Sequence, residues 1–181
     1  MKKSIPPHSI SSPEGWDAYT LPQLLMKQAA VYGSGRTALR EKAYGIWHSY
    51  SWEEYGRFVR HTALGLTAAG LTRGDCLGMI LNNHPEWLFS ELGGQAVGAV
   101  TVNMFTSAVS EELSAVLGRI GATIVIVQDQ EQVDKLLERR DRLPHIRKVV
   151  YIDQTGMRTY EKEPWLMSFQ TLLDEGRRLD A

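Results

Sequence analysis

The sequence predicts a doubly wound α/β fold, with a mostly parallel sheet, helices on both faces and an N-terminal β-hairpin. Four short apolar runs carry the sheet: "CLGMIL" at 76–81, "GAVTVN" at 98–103, "TIVIVQ" at 123–128 and "KVVYI" at 148–152. Each is nearly continuous rather than alternating, as expected of parallel strands covered on both faces. One stretch of helical periodicity separates each run from the next. The helix starts are legible too, because short oxygen-bearing side chains stand three residues before Glu or Gln.

Taken in order, Thr20-Leu-Pro-Gln23 reads as a capping box opening the first helix. "TALREKA" and "IWHSYS", joined by Tyr44-Gly45, read as the hairpin. Ser51-Trp-Glu-Glu54 is a second box, and Trp52, Tyr55, Val59, Ala63, Leu66 and Ala69 recur behind it at helical intervals. Asn83-His-Pro-Glu86 fits the Asx version of the box, with Leu88, Leu92 and Ala96 as the apolar face and Gly98 as the stop. Ser110 precedes Glu111 and Glu112, acids suited to the positive end of a helix, and Leu113, Val116, Leu117 and Ile120 follow. Asp129-Gln-Glu-Gln132 opens another helix with Val133, Leu136 and Leu137 on one side and Pro144 just beyond its end. Residues 157–164 are polar, and "SFQTLLDEGRRL" makes a last amphipathic helix.

Composition narrows the class. The 181 residues are 43% hydrophobic and 23% charged, enough for one domain or slightly more with a core. Lys and Arg total 20 against 21 Asp and Glu, so no charge excess points to nucleic acid. Cys76, the single cysteine, allows no intrachain disulfide and reads as a small buried hydrophobe. "MKKSIPPHSISSPEGW" lacks the apolar core of a signal peptide, so residues 1–19 read as a polar lead-in. The longest uncharged stretch, 92–110, holds six polar side chains and three glycines, and reads as helix, strand and loop, not a transmembrane segment. A cytoplasmic protein is expected.

Two short motifs tempt. Gly33-Ser-Gly35-Arg-Thr-Ala38 spells a dinucleotide fingerprint, but a helix precedes it and a strand follows, the reverse of the order that aims a helix at pyrophosphate. It reads as a helix-ending turn. Arg73-Gly74-Asp75 lies between a helix end and a strand, and also reads as a turn. The histidines at 8, 48, 61, 84 and 145 have no metal-ligand spacing. His84 reads as a surface residue in a first helical turn. Asn82 and Asn83 stand at the carboxyl end of a strand, where open α/β sheets place ligands, although one of them is already spoken for as a cap.

Four segments together, "LREKAYGIWHSYSWEEY", "GLTAAGLTRGDCLGMILNNHPEW", "GAVTVNMFTSAVSEEL" and "DQEQVDKLLERRDRLPHIRKVVYID", resemble the N-terminal part of AMP-forming acyl-CoA synthetases, the adenylate-forming ligases. "KAYGIWHSYSW" and "DQEQVDKLL" resemble the long-chain fatty-acid subgroup. The resemblance implies that residues 20–181 are the N-terminal portion of the large AMP-binding domain. It implies a full-length enzyme that uses ATP, Mg²⁺ and CoA to convert a fatty acid to acyl-CoA, AMP and pyrophosphate, and that sits peripherally on a membrane. In that family a Ser/Thr/Gly-rich loop ending in Lys holds the phosphates. "QTGMR" at 154–158 is the nearest match, without the hydroxyl run or the lysine. The later family motifs are also absent, so no catalytic, cofactor-binding or metal residue is assigned. The expectation is a chain inactive alone, marginally folded and self-associating through an exposed seam. The alternative is a non-catalytic acyl-binding or partner module that pairs with a separately encoded remainder.

Overall fold

A computed structural model describes residues 18–160 and 162–181. All but the end of the polar lead-in, and the signal-peptide question with it, lies outside the described residues. Helix α1 (Leu21–Tyr32) opens with the Thr20 amide donating to Gln23 Oε1 at 2.9 Å, as its capping box predicts. It ends at Gly33, whose φ of +56° turns the chain into a short 3₁₀ segment, Gly33–Gly35. The fingerprint is therefore a helix-ending turn.

Strands β1 (Thr37–Ala43) and β2 (Ile46–Ser51) form the antiparallel hairpin. Tyr44 and Gly45 both have positive φ, +51° and +82°, the geometry of a two-residue primed turn. The base of the hairpin is anchored by Tyr50, which packs edge-on against Phe58 and Phe89 at 5.9 and 5.8 Å. Helix α2 (Trp52–Ala68) follows at once, with a reciprocal cap: the Ser51 amide donates to Glu54 Oε2 at 2.8 Å, and the Glu54 amide donates to Ser51 Oγ at 3.2 Å.

The main sheet is five-stranded and parallel, in the order β4-β3-β5-β6-β7: Val100–Met104, Cys76–Ile80, Ala122–Val127, Lys148–Tyr151 and Leu166–Ser168. Helices α3 (Pro85–Val97), α4 (Ser110–Ile120) and α5 (Gln130–Glu138) are the crossovers, and α6 (Phe169–Asp180) closes the chain. One core joins α2, α3 and α6 to Leu77, Met79, Ile124, Ile126 and Val150. The other joins α4 and α5 to Ile80, Val125, Val127 and Val149. Strand β5 thus sends successive side chains into opposite cores, which is why its sequence is apolar without alternation.

Four expectations are corrected. The cap of α3 is His84, not Asn83, because Pro85 takes the first helical position and holds the residue before it extended (φ −114°, ψ 160°). The buried face of α3 is Phe89, Ser90, Gly93 and Gly94, while Leu88 and Leu92 are only partly buried. At that face a Cβ on Gly93 would lie 2.9 Å from Thr62 Cγ2, and one on Gly94 2.7 Å from Leu77 Cδ2. The helix sits too close for side chains there, so hydrophobic spacing misplaced its face by about one residue. Strand β7 was not foreseen, and Met157, in a segment read as polar, is buried. Cys76 is half-buried. Among the described residues no helix is long and apolar enough to cross a membrane.

Candidate functional site

The strand order makes β3 and β5 neighbours whose following connections run in opposite directions, β3 through α3 to β4 and β5 through α5 to β6. Their carboxyl ends frame the switch-point crevice, where folds of this class take ligands. Asn82 and Asn83 leave β3 at this point. Gln128 and Asp129 leave β5 opposite them.

Protein groups bridge the crevice. The Gln128 amide donates to the Ile80 carbonyl at 3.0 Å, and its side-chain Oε1 accepts from the Asn82 amide at 3.1 Å. Asn82 Oδ1 in turn accepts from Thr106 Oγ1 at 3.1 Å, and the Thr106 carbonyl accepts from Lys135 Nζ at 2.8 Å. Lys135 also meets Glu131 Oε1 at 2.8 Å and Gln132 Oε1 at 3.3 Å. The hydrogen bond from Lys135 holds the Glu131 carboxyl below its ordinary range. On the far side the Asp153 amide donates to the Gln128 carbonyl at 2.8 Å. The Asp129 carboxylate caps α5, accepting from the Gln132 amide at 3.3 Å, while the Gln132 side chain goes to Lys135, so only half of the predicted box forms.

Two clefts flank this closed centre, with Trp87 and Asn83 as their shared wall. One, about 490 Å³, lies between the hairpin and α3 and is lined by Leu39, Glu41, His84 and Leu88. The other, about 550 Å³, lies toward β4 and is lined by Leu81, Asn103, Met104 and Phe105. In the first, His84 Nδ1 is 2.7 Å from Glu41 Oε1, a hydrogen bond between residues 43 positions apart that ties the hairpin to the start of α3. Glu86, in the first turn of α3, has its carboxyl raised, chiefly by burial, with Glu41 adding to the shift. The Tyr50 hydroxyl is likewise raised, first by burial and then by Glu86 and Glu41.

This arrangement can hydrogen-bond and can seat an apolar group against Trp87. The crevice does not fit a magnesium triphosphate: Lys135 is committed to Glu131 and Thr106, the strand-end amides of Asn82 and Asp153 already donate to Gln128, and Arg40 and Lys42, which line the hairpin cleft, lie over the Trp47 ring. Among the described residues no three His, Cys, Asp or Glu side chains converge to hold a metal. Sequence reasoning placed Asn82 and Asn83 at the right edge; the structure gives Asn82 a structural role and leaves Asn83 lining both clefts. Reading His84 as a surface residue beside a cap misses its bond to Glu41, and in the sequence Gln128 marks only a strand end. A long-range side-chain pair leaves no local spacing to find.

Residues 25–174 match the family model described as AMP-binding enzyme. The long-chain-fatty-acid–CoA ligase ACSBG2 of Xenopus laevis is 29% identical over 159 residues, covering 87% of this chain and 21% of that protein. The long-chain-fatty-acid–CoA ligase heimdall of Drosophila melanogaster is 27% identical over 176 residues, covering 96% and 24%. The chain therefore spans between a fifth and a quarter of the length of these relatives. Among solved structures, the A-PCP didomain of carboxylic acid reductase from Segniliparus rugosus, in complex with AMP, superposes with a TM-score of 0.76 at 16% identity, over 90% of this chain and 27% of that one. A putative long-chain-fatty-acid CoA ligase from Rhodopseudomonas palustris gives 0.70 at 19% identity, over 85% and 36%. These structures share the fold.

Proposed function

The chain belongs to the AMP-binding enzyme family, and from that premise we propose that residues 20–181 are the N-terminal part of the adenylate-forming domain of a long-chain fatty-acid–CoA ligase. The observation that carries this reading is the family match over 25–174, joined by relatives that are named long-chain-fatty-acid–CoA ligases. In the full-length reaction a fatty carboxylate attacks the α-phosphorus of ATP and expels pyrophosphate. The CoA thiolate then attacks the acyl carbon of the acyl-adenylate and expels AMP. ATP, Mg²⁺ and CoA belong to that whole enzyme, which works in the cytoplasm and peripherally at a membrane. The share of this chain is scaffold: two packed cores that hold a strand-end edge in place.

Alone, the 181 residues do not adenylate. The bridged crevice supports this, as does the sequence, which carries no Ser/Thr/Gly-rich loop ending in Lys. Fatty-acid-dependent exchange of pyrophosphate into ATP by the purified chain should stay at the level of a no-protein control. Exchange above that level overturns the reading. A second reading, a non-catalytic acyl-binding or partner module, is favoured by the two clefts beside Trp87. It predicts a saturable change in tryptophan emission on titration with a fatty acid, and loss of that change in Trp87→Phe; a flat titration removes it.

A further inference from the structure

The two edges of the main sheet are built differently. Strand β7 is three residues long, follows Pro164 and runs straight into α6, with Lys148 Nζ donating to the Pro164 carbonyl beside it. Short length, a proline and a nearby lysine are the usual means of blunting an edge against pairing. Strand β4, "VTVNM", is five residues long with no proline, no charge and no bulge in its pairing to β3. Among the described residues no strand lies beyond it. Exposed apolar side chains stand on it and just past its end: Val100 is 55% exposed and Phe105 84%.

The backbone of β4 is arranged for a specific partner. The Val100 amide donates to the Asp75 carbonyl at 2.8 Å, so Val100, Val102 and Met104 aim their backbone groups at β3. Parallel pairing alternates, which leaves the amides and carbonyls of Thr101 and Asn103 facing outward. Their side chains do not cover that edge. Thr101 Oγ1 donates to Glu91 Oε1 at 2.8 Å and Asn103 Nδ2 to Glu91 Oε2 at 3.3 Å, both on the α3 side of the sheet.

We propose that β4 pairs antiparallel with β4 of a second copy of this chain, about a two-fold axis through Val102, making one continuous ten-stranded sheet. In this register the outward groups of Thr101 meet those of Asn103 of the second copy and, by symmetry, the reverse, giving four backbone hydrogen bonds. Val102 lies opposite its own counterpart in a non-hydrogen-bonded pair, where side chains come closest. Val100 faces Met104 of the second copy, and Phe105 comes over Ala99. Every cross-strand pair on the α4 side is apolar; of the carboxylates near the strand, Glu91 is already satisfied on its own protomer, and Glu112 lies on α4 beside the cleft that Val102 and Met104 line. A strand so free of charge is complementary to itself. The inference does not rest on the ligase reading, because its readout is assembly and not activity.

The test is sedimentation velocity of the full 181-residue chain over a range of micromolar concentrations, with two kinds of variant. The wild type should show a dimer that grows with concentration. Val102→Lys places two ammonium groups across the axis and should abolish that dimer, while Leu179→Lys, which charges an exposed apolar site on α6, should leave it intact. Should Val102→Lys fail to fold, cysteine cross-linking decides. With Cys76, the register partner of Val100, replaced by Ser, Val102→Cys should form a covalent dimer on mild oxidation, and Val100→Cys, which faces Met104 and not itself, should not. A wild type that stays monomeric, a dimer indifferent to Val102→Lys, or equal cross-linking at 100 and 102 each overturns the proposal.

Discussion

The two helical layers of this molecule approach the same sheet by different means. On one face α2, α3 and α6 touch through glycines. A Cβ on Gly65 would stand 2.2 Å from the Leu172 carbonyl oxygen, and one on Gly176 only 1.8 Å from the His61 carbonyl oxygen. Backbone packs on backbone at that crossing. On the other face α4 and α5 rest on the sheet through Leu113, Leu117, Val133 and Leu136, with ordinary interdigitated side chains. Their glycines bear no load: a Cβ on Gly118 would find nothing nearer than the Arg142 carbonyl oxygen at 3.9 Å. Within the helices, the same residue type therefore means close approach in one layer and only a weaker helix in the other, although on that second face Gly78 of the sheet receives Leu117.

The sharpest way to break this comparison is Gly176→Ala. Alanine is the better helix former by about 1 kcal/mol, so propensity alone predicts stabilisation. The contact with His61 O, however, is with backbone, which cannot rotate aside. The variant should lose about 3 kcal/mol in urea denaturation, the upper end for overpacking. A neutral or stabilised Gly176→Ala would mean that α6 is not held against α2 as described.

That close crossing also marks where sequence legibility ends. Four of the five strands of the sheet, the hairpin turn at Tyr44-Gly45, the caps at Thr20, Ser51 and Asp129 and the helix "SFQTLLDEGRRL" are readable, because each depends on residues within a few positions of one another. Gly65, Gly93, Gly94 and Gly176 carry no mark in the sequence, because what makes them necessary is a neighbour brought close only by folding. Strand β7 was missed for a related reason: Leu166–Ser168 is too short to show a period. The candidate site divides the same way. Its position at the ends of β3 and β5 followed from the order of elements, whereas the bridge from Gln128 to Asn82 and the bond from His84 to Glu41 join residues 46 and 43 positions apart.

A smaller effect separates the layers at their caps. Ser51 and Glu54 form both halves of a box at the start of α2, whereas Asp129 forms one half at the start of α5. Ser51→Ala should therefore cost about 1 kcal/mol, and Asp129→Ala a few tenths less. The Ser51 box also titrates. The Glu54 carboxyl lies below its ordinary range, first through the Ser51 backbone amide and then through the Ser51 hydroxyl. Because the folded state lowers this pKa, its stabilisation is complete above the unfolded value and is lost as pH falls through the folded one. Urea midpoints measured from neutral pH down into the carboxylate range should fall less steeply for Glu54→Gln than for wild type. Parallel curves would detach Glu54 from the cap.

The smallest effect runs the other way. Gly118 is exposed, has an ordinary helical φ and lies in the last turn of α4, where its carbonyl accepts from the Gly121 amide. Alanine there keeps that bond, narrows the unfolded ensemble and meets no neighbour. Gly118→Ala should stabilise the chain by about 0.5 kcal/mol or somewhat more, seen as a higher urea midpoint at unchanged slope. Paired with Gly176→Ala, it makes the same chemical change in two helices of one molecule and expects opposite signs. If both destabilise, α4 also lies against something through Gly118, and the contrast between the two layers fails. If both stabilise, the α2–α6 crossing is looser than a backbone contact allows. Only opposite signs leave helix propensity governing one layer and steric approach the other.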